Sequence, residues 1–177
     1  MPNTAEAGSA SEIRIENLYL GEADQGAFII ASRLTGPQRV RVTVQSAFTG
    51  SVVLREVVET GTVNGEPAAD ALPALGDAGL VTVPAGGAVK IWLSADARGA
   101  RPGDYSGTVR ITPLDKRIAA TELALKLNIP NLSMPAEMPL KLCTWDYVPN
   151  KMFPRRTKEV LDDMVRHGVN VFPRLAS

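Results

Sequence analysis

The chain of 177 residues is poor in the residue types that most often carry chemistry, with one cysteine (Cys143), one histidine (His167), two tryptophans, three tyrosines and four phenylalanines. A single thiol excludes an internal disulfide and any structural zinc site built on thiolates. Cys143 sits inside an apolar strand pattern, so a buried, inert thiol is expected there. No His or Asn stands in a partner context that would make Cys143 a nucleophile. Excess charge of one sign is also missing, since 19 Lys+Arg balance 19 Asp+Glu. A non-specific nucleic-acid binder needs a basic surplus to displace counterions, and isolated pairs such as Arg155 and Arg156 do not supply it. No apolar run approaches the roughly 20 residues of a membrane span. Neither nucleic acid nor membrane is therefore an expected partner, and no metal or organic cofactor is expected. Residues 1–12 are polar and rich in small side chains, without the apolar stretch of a secretory signal, and read as a flexible leader.

What the chain does contain is a succession of short strand patterns. Ile13, Ile15, Leu18 and Leu20 are apolar, and residues 21–26 form a turn-rich break. Residues 28–34 follow. Val40, Val42 and Val44 then alternate with Arg39, Arg41 and Thr43, a period of two that marks a half-buried antiparallel strand. Residues 52–58 give a fourth strand after the Thr49-Gly50 turn. Residues 59–79 are rich in Ala, Gly, Pro and Asp and lack periodicity, so they read as a connecting loop with room for a short strand or helical turn. Further strands are expected over residues 80–83, 89–95, 105–112 and 118–129. In the last, Leu123, Leu125, Leu127 and Ile129 alternate with Glu122, Ala124, Lys126 and Asn128. About eight short strands with almost no helical pattern predict a two-sheet antiparallel β-sandwich over residues 13–129. Pro102-Gly103 predicts a tight turn, Tyr105 places a large ring at a strand start, and Gly107 leaves room for a close neighbour. Trp92 falls on the opposite face from Ile91 and Leu93. Sugar stacking on Trp92 or Tyr105 is the sharper reading, and packing at the sandwich surface the plainer one.

Residues 130–139 hold three prolines, which deny both helix and central strand and predict a stiff linker. Beyond it the grammar changes. Residues 140–145 resemble a strand, residues 154–167 a helix, and residues 169–172 a second strand. Pro154 suits the first helical turn, Val160, Leu161, Met164 and Val165 make an apolar stripe, and Gly168 follows His167 as a stop. His167 is placed to interact favourably with the helix C-terminus. A single βαβ unit cannot cover its own strands. Residues 140–177 are therefore expected to need material beyond Ser177, and the segment 140–172, with Leu140, Leu142, Val169, Val171 and Phe172 uncovered, is a candidate for self-association.

Two resemblances follow from these residues. The stretch from Arg101-Pro102-Gly103-Asp104-Tyr105 through Gly107 and Val109 resembles the immunoglobulin-like sandwich domains that precede catalytic barrels in bacterial carbohydrate-active enzymes. The phrases Cys143-Thr144-Trp145-Asp146 and His167-Gly168-Val169-Asn170-Val171 resemble the opening βαβ unit of a TIM barrel of the glycoside hydrolase kind, in the group that includes N-acetylgalactosaminidase-type enzymes. The resemblance implies an immunoglobulin-like antiparallel β-sandwich followed by one βαβ unit of an incomplete TIM barrel, a glycan substrate for the parent barrel, and a secreted or periplasmic parent. Barrel substrates gather at the C-terminal ends of strands, which makes Trp145 a candidate sugar-subsite wall and Asp146 a candidate hydroxyl partner. Glycoside hydrolysis needs two carboxyl groups about 5 to 9.5 Å apart, or one acid with substrate assistance. Asp162 and Asp163 do not qualify, because adjacent helical residues point in different directions. No residue of this chain is assigned a catalytic role, and the acids are expected downstream. The competing readings are a stand-alone interaction or adhesion module and a carbohydrate-binding module.

Overall fold

The computed structural model describes residues 11–135, 139–143 and 156–171, and the chain divides into two compact units, Met1–Met134 and Pro135–Ser177. The first unit is a β-sandwich of ten strands: β1 (Glu12–Ile15), β2 (Ala23–Ala31), β3 (Gln38–Ser46), β4 (Ser51–Glu56), β5 (Val58–Gly61), β6 (Pro67–Ala71), β7 (Leu80–Val83), β8 (Ala88–Asp96), β9 (Gly103–Pro113) and β10 (Thr121–Ile129). A five-stranded sheet runs β1-β10-β9-β3-β7, a three-stranded sheet runs β2-β8-β4, and β5 and β6 form a separate hairpin. Most pairings are antiparallel. The exception is β1, which lies parallel to β10 with Glu12 opposite Ala124 and Ile15 opposite Leu127.

Alternation explains how the two sheets share one core. In β10, Leu123, Leu125, Leu127 and Ile129 are buried while Glu122 and Lys126 face water, and Ile91, Leu93 and Ala95 of β8 do the same from the other sheet. With Ile13, Ile15, Phe28, Ile30, Val40, Val42, Val81, Val83, Val109 and Ile111 these form a single apolar cluster. Each fully buried Leu or Ile side chain contributes about 1.5–3 kcal/mol relative to exposure. No side-chain polar atom is buried without a partner among the described residues. Gly79 closes the approach to β7 with φ +60, and its carbonyl accepts the Val42 N–H at 2.8 Å. Gly107 meets the expectation of a close neighbour, since a Cβ there would lie 2.6 Å from the Gln45 carbonyl oxygen.

The outer faces of the two sheets differ. On the five-stranded sheet, Arg14, Lys126 and Ser106 are opposed across β1, β10 and β9, and Glu122, Arg110 and Thr43 across β10, β9 and β3, so the face is polar. On the three-stranded sheet, Ala27, Trp92 and Arg55 are opposed, with Ile29 beside Lys90 and Val53 beside Ser94. Ile29 is 53% exposed, and Trp92 is half-buried on the face opposite Ile91 and Leu93, as its position in the alternation predicts.

Three local expectations are corrected. The segment 59–79 is not simply a loop, because β5 and β6 pair within it, and residues Pro73 to Leu75 then hydrogen-bond along β4. The turn-rich break is shorter than expected, since β2 begins at Ala23. The last strand begins at Thr121, with Ile118 held in a turn by its N–H to the Asp115 carbonyl at 3.0 Å. After β10 the chain runs beside Leu20, whose N–H donates to Leu132 O at 2.9 Å and whose carbonyl accepts from Met134 N–H at 2.9 Å.

In the second unit, helix α1 spans Thr157–Arg166, shorter than the expected 154–167, with Arg156 at its N-cap and Pro154 outside the described residues. It ends as Gly168 predicts. The residue takes φ +84, its N–H donates to Val165 O at 3.0 Å, and Val169 N–H donates to Met164 O at 3.0 Å, the paired bonds of a Schellman cap. Val160, Leu161 and Met164 are half-buried, whereas Val165 is 58% exposed and falls off the expected stripe. Cys143 is also exposed, against the expectation of a buried thiol. The physical reason is coverage: the described part of this unit supplies one helix and a one-residue bridge, too little to close over a strand. Among the described residues no helix is long and apolar enough to cross a membrane.

Candidate functional site

The sequence points to the end of the first barrel-like strand, where Trp145 and Asp146 lie. Both fall outside the described residues, so the site is described by what leads into it. Cys143 and Val171 form a parallel bridge on either side of α1, the minimal strand-helix-strand connection. Asn170 fastens it. Its side-chain Oδ1 accepts the Leu142 N–H at 2.8 Å, its Nδ2 donates to Leu140 O at 2.9 Å, and the backbone N–H groups of Asn170 and Val171 both donate to Leu142 O, at 3.0 and 3.2 Å. One side chain thus grips two successive peptide units just before the strand end. The sequence carries one signal of this clamp, an amide side chain between Val169 and Val171 in an otherwise apolar run.

Replacing Asn170 with alanine removes both side-chain bonds, each of which contributes about 0.5–1.5 kcal/mol. The expected result is faster amide exchange at Leu142 with protection of β10 amides unchanged. Equal protection of Leu142 in both proteins would show that the clamp does not hold the strand.

The two aspartates of α1 are committed to neighbours. Lys158 Nζ lies 2.5 Å from Asp162 Oδ2, and Asp163 faces His167, whose Nδ1 is 2.8 Å from the Asp163 carbonyl oxygen. These two carboxylates do not combine into an acid pair. In the sandwich, Arg117 holds the Asp115 carboxyl down to about 2, and hydrogen bonding from Arg98 lowers that of Asp96. A general acid for glycoside cleavage needs the opposite shift, upward, so neither is suited to that role. Among the described residues no group of three or more His, Cys, Asp or Glu side chains could hold a metal ion.

The aromatic candidates are placed differently from each other. Tyr105 turns inward. Its ring meets Phe48 edge-on, 5.4 Å between centroids, and its hydroxyl donates to the Arg101 carbonyl at 2.8 Å. Arg101 N–H in turn donates to Thr49 Oγ1 at 3.0 Å, tying two loops together. Tyr105 therefore serves packing, and its half-buried ring also lines a groove beside β9 and β10. Trp92 faces outward, with Lys90 Nζ 5.6 Å from the ring centroid, a cation over the aromatic face.

A groove of about 440 Å³ opens beside the paired ends of β1, β10 and β9. Its polar lining is largely self-satisfied. Arg14 is held between Glu12 and Glu16, with Nε 2.9 Å from Glu12 Oε1 and Nη1 3.1 Å from Glu16 Oε1, and Asn128 Nδ2 donates to Asp104 Oδ1 at 2.7 Å. Sequence reasoning missed this groove because β1 meets β10 in parallel across more than a hundred residues, a pairing that no local pattern announces.

No protein-family model matches the sequence, and no curated protein matches it either. Among solved structures, the chain is similar in fold to a family 123 glycoside hydrolase from Clostridium perfringens, studied for glycolipid glycan hydrolysis. The TM-score is 0.57 and the identity 15%, over 71% of this chain and 24% of that one. This chain thus spans about a quarter of the length of that hydrolase. Lower-scoring likenesses include PapD-like domain 7 of human CEP192, with TM-score 0.38, 15% identity, 76% of this chain and 94% of that one. Another is the Pseudomonas aeruginosa CupB2 chaperone, with TM-score 0.39, 6% identity, 71% of this chain and 55% of that one.

Proposed function

We propose that this chain is the non-catalytic N-terminal region of a glycoside hydrolase acting on glycans. In this reading the immunoglobulin-like sandwich is an accessory domain that buttresses a TIM barrel in the parent protein. Residues 140–177 open that barrel, Trp145 and Asp146 contribute to a sugar subsite, and the catalytic carboxylates come from sequence downstream of Ser177. The observation that carries the reading is the fold likeness to the family 123 hydrolase, which reaches 71% of this chain and only 24% of that enzyme. One local feature supports it. The strand pieces at Cys143 and Val171 are parallel and flank α1, as barrel units require.

The test is enzymatic. A protein extended through the continuing reading frame should hydrolyse an aryl N-acetylgalactosaminide, whereas the 177-residue chain alone should not. Within the extended protein, Trp145→Ala should raise KM. Hydrolysis by the 177-residue chain itself would overturn the accessory reading, and an extended protein that leaves the aryl N-acetylgalactosaminide and a panel of other aryl glycosides intact would overturn the hydrolase reading.

A further inference from the structure

The two main sheets of the sandwich have four strand edges, and these are treated unequally. The β4 edge is occupied: Ala74 bridges to Arg55, Leu75 N–H donates to Leu54 O at 2.9 Å, and Glu56 N–H donates to Pro73 O at 3.0 Å. Strands β1 and β7, at the edges of the five-stranded sheet, have four residues each, and β1 carries Glu12 and Arg14. Strand β2 is an edge of nine residues, and from Gly26 it reads Gly-Ala-Phe-Ile-Ile-Ala, without the prolines or charges that proteins use to block edge pairing. At Gly26 the Ile13 side chain sits 2.8 Å from where a Cβ would stand, so β1 crosses close to the strand there. Among the described residues no strand pairs with the outer edge of the run from Ala27 to Ala31, of which Ala27, Ile29 and Ala31 are exposed.

We propose that this run is a pairing edge for a second copy of the same chain, antiparallel and centred on Ile29. Three features select this occupant. Exposed Asp24 precedes the run and exposed Arg33 follows it, so antiparallel pairing sets the acidic end of one copy beside the basic end of the other, whereas parallel pairing aligns like with like. The chain has no net charge, so copies meet without long-range repulsion. Centring on Ile29 sets it against its own copy, Ala27 against Ala31 and Phe28 against Ile30. This register keeps both cores on one side of the joined sheet and leaves the crossing at Gly26 outside the ladder. The two three-stranded sheets then form one six-stranded sheet about a two-fold axis.

Sedimentation velocity and light scattering on the whole chain, from micromolar to millimolar concentration, read the outcome directly. The expected result is a reversible species of twice 18.9 kDa. Ile29→Lys places like charges on the axis and should raise the dissociation constant by about tenfold or more. Ala27→Lys combined with Ala31→Lys should do the same, while Ala27→Lys combined with Ala31→Glu should restore pairing, because the register opposes those two positions. Far-UV circular dichroism confirms that each variant is folded. A monomer throughout the range, or a dimer indifferent to Ile29→Lys, overturns the proposal. So does a dimer lost with Leu140→Asp while β2 is intact, which assigns association to the segment 140–172.

Discussion

Replacing Leu93 with alanine is expected to remove about 4 kcal/mol of folding stability, near the upper half of the range for buried leucines. The side chain is fully buried in β8, the central strand of the three-stranded sheet, and it points into the cluster shared with the other sheet. Its cross-strand neighbours are Gly26 on β2 and Leu54 on β4. Gly26 has no side chain of its own and Ile13 already occupies the space beside it, so the neighbours have little freedom to move into the cavity. Domains of this size hold about 5–15 kcal/mol in total, so the loss is a large share of the whole. Urea unfolding followed by far-UV circular dichroism measures it. Leu93→Met, which keeps the volume, should cost less than about 1.5 kcal/mol. Similar losses for both variants would mean that something other than the cavity governs the site.

A second large effect is expected where the backbone leaves no room. At Gly79, φ of +60 disfavours any side chain, and a Cβ would overlap the carbonyl oxygen of Val42. That oxygen belongs to β3 and cannot rotate aside as a side chain can. Gly79→Ala therefore combines left-handed strain with overpacking, together roughly 2–4 kcal/mol. Gly76, three residues earlier, has nothing within 4 Å of where a methyl group would stand and lacks a positive φ. Gly76→Ala is expected to be neutral or stabilising by up to about 1 kcal/mol through the unfolded chain. The thermal midpoints of the two variants should move apart. Equal midpoints would show that β7 can shift to accommodate the methyl group.

Particular elements show what a sequence can announce. Strands such as β10 and β3, with one wet face and one buried face, carry their burial in a period of two, and the sandwich follows from them. The β5–β6 hairpin is unreadable for the converse reason. Its residues are mostly exposed on both sides, so no alternation exists, and Ala, Pro, Asp and Gly have low strand preference. The start of β2 is hidden likewise, because Ala23, Asp24 and Gln25 are all exposed. Gly168 is legible because a helix end needs a left-handed residue, whereas Asn170 shows only as an amide in an apolar run, because its partners lie 28 and 30 residues away. Of the candidate site, Trp145 and Asp146 lie outside the described residues, and only the approach to them can be set beside the expectation.

The parallel union of β1 with β10 gives the sandwich a mechanical character. Tension applied between the start of β1 and the end of β10 runs along two neighbouring strands in opposite senses, so the bonds joining Glu12–Ile15 to residues 124–127 are loaded together rather than peeled one at a time. A module threaded in this way is expected to carry pulling force along that seam as a shear lock.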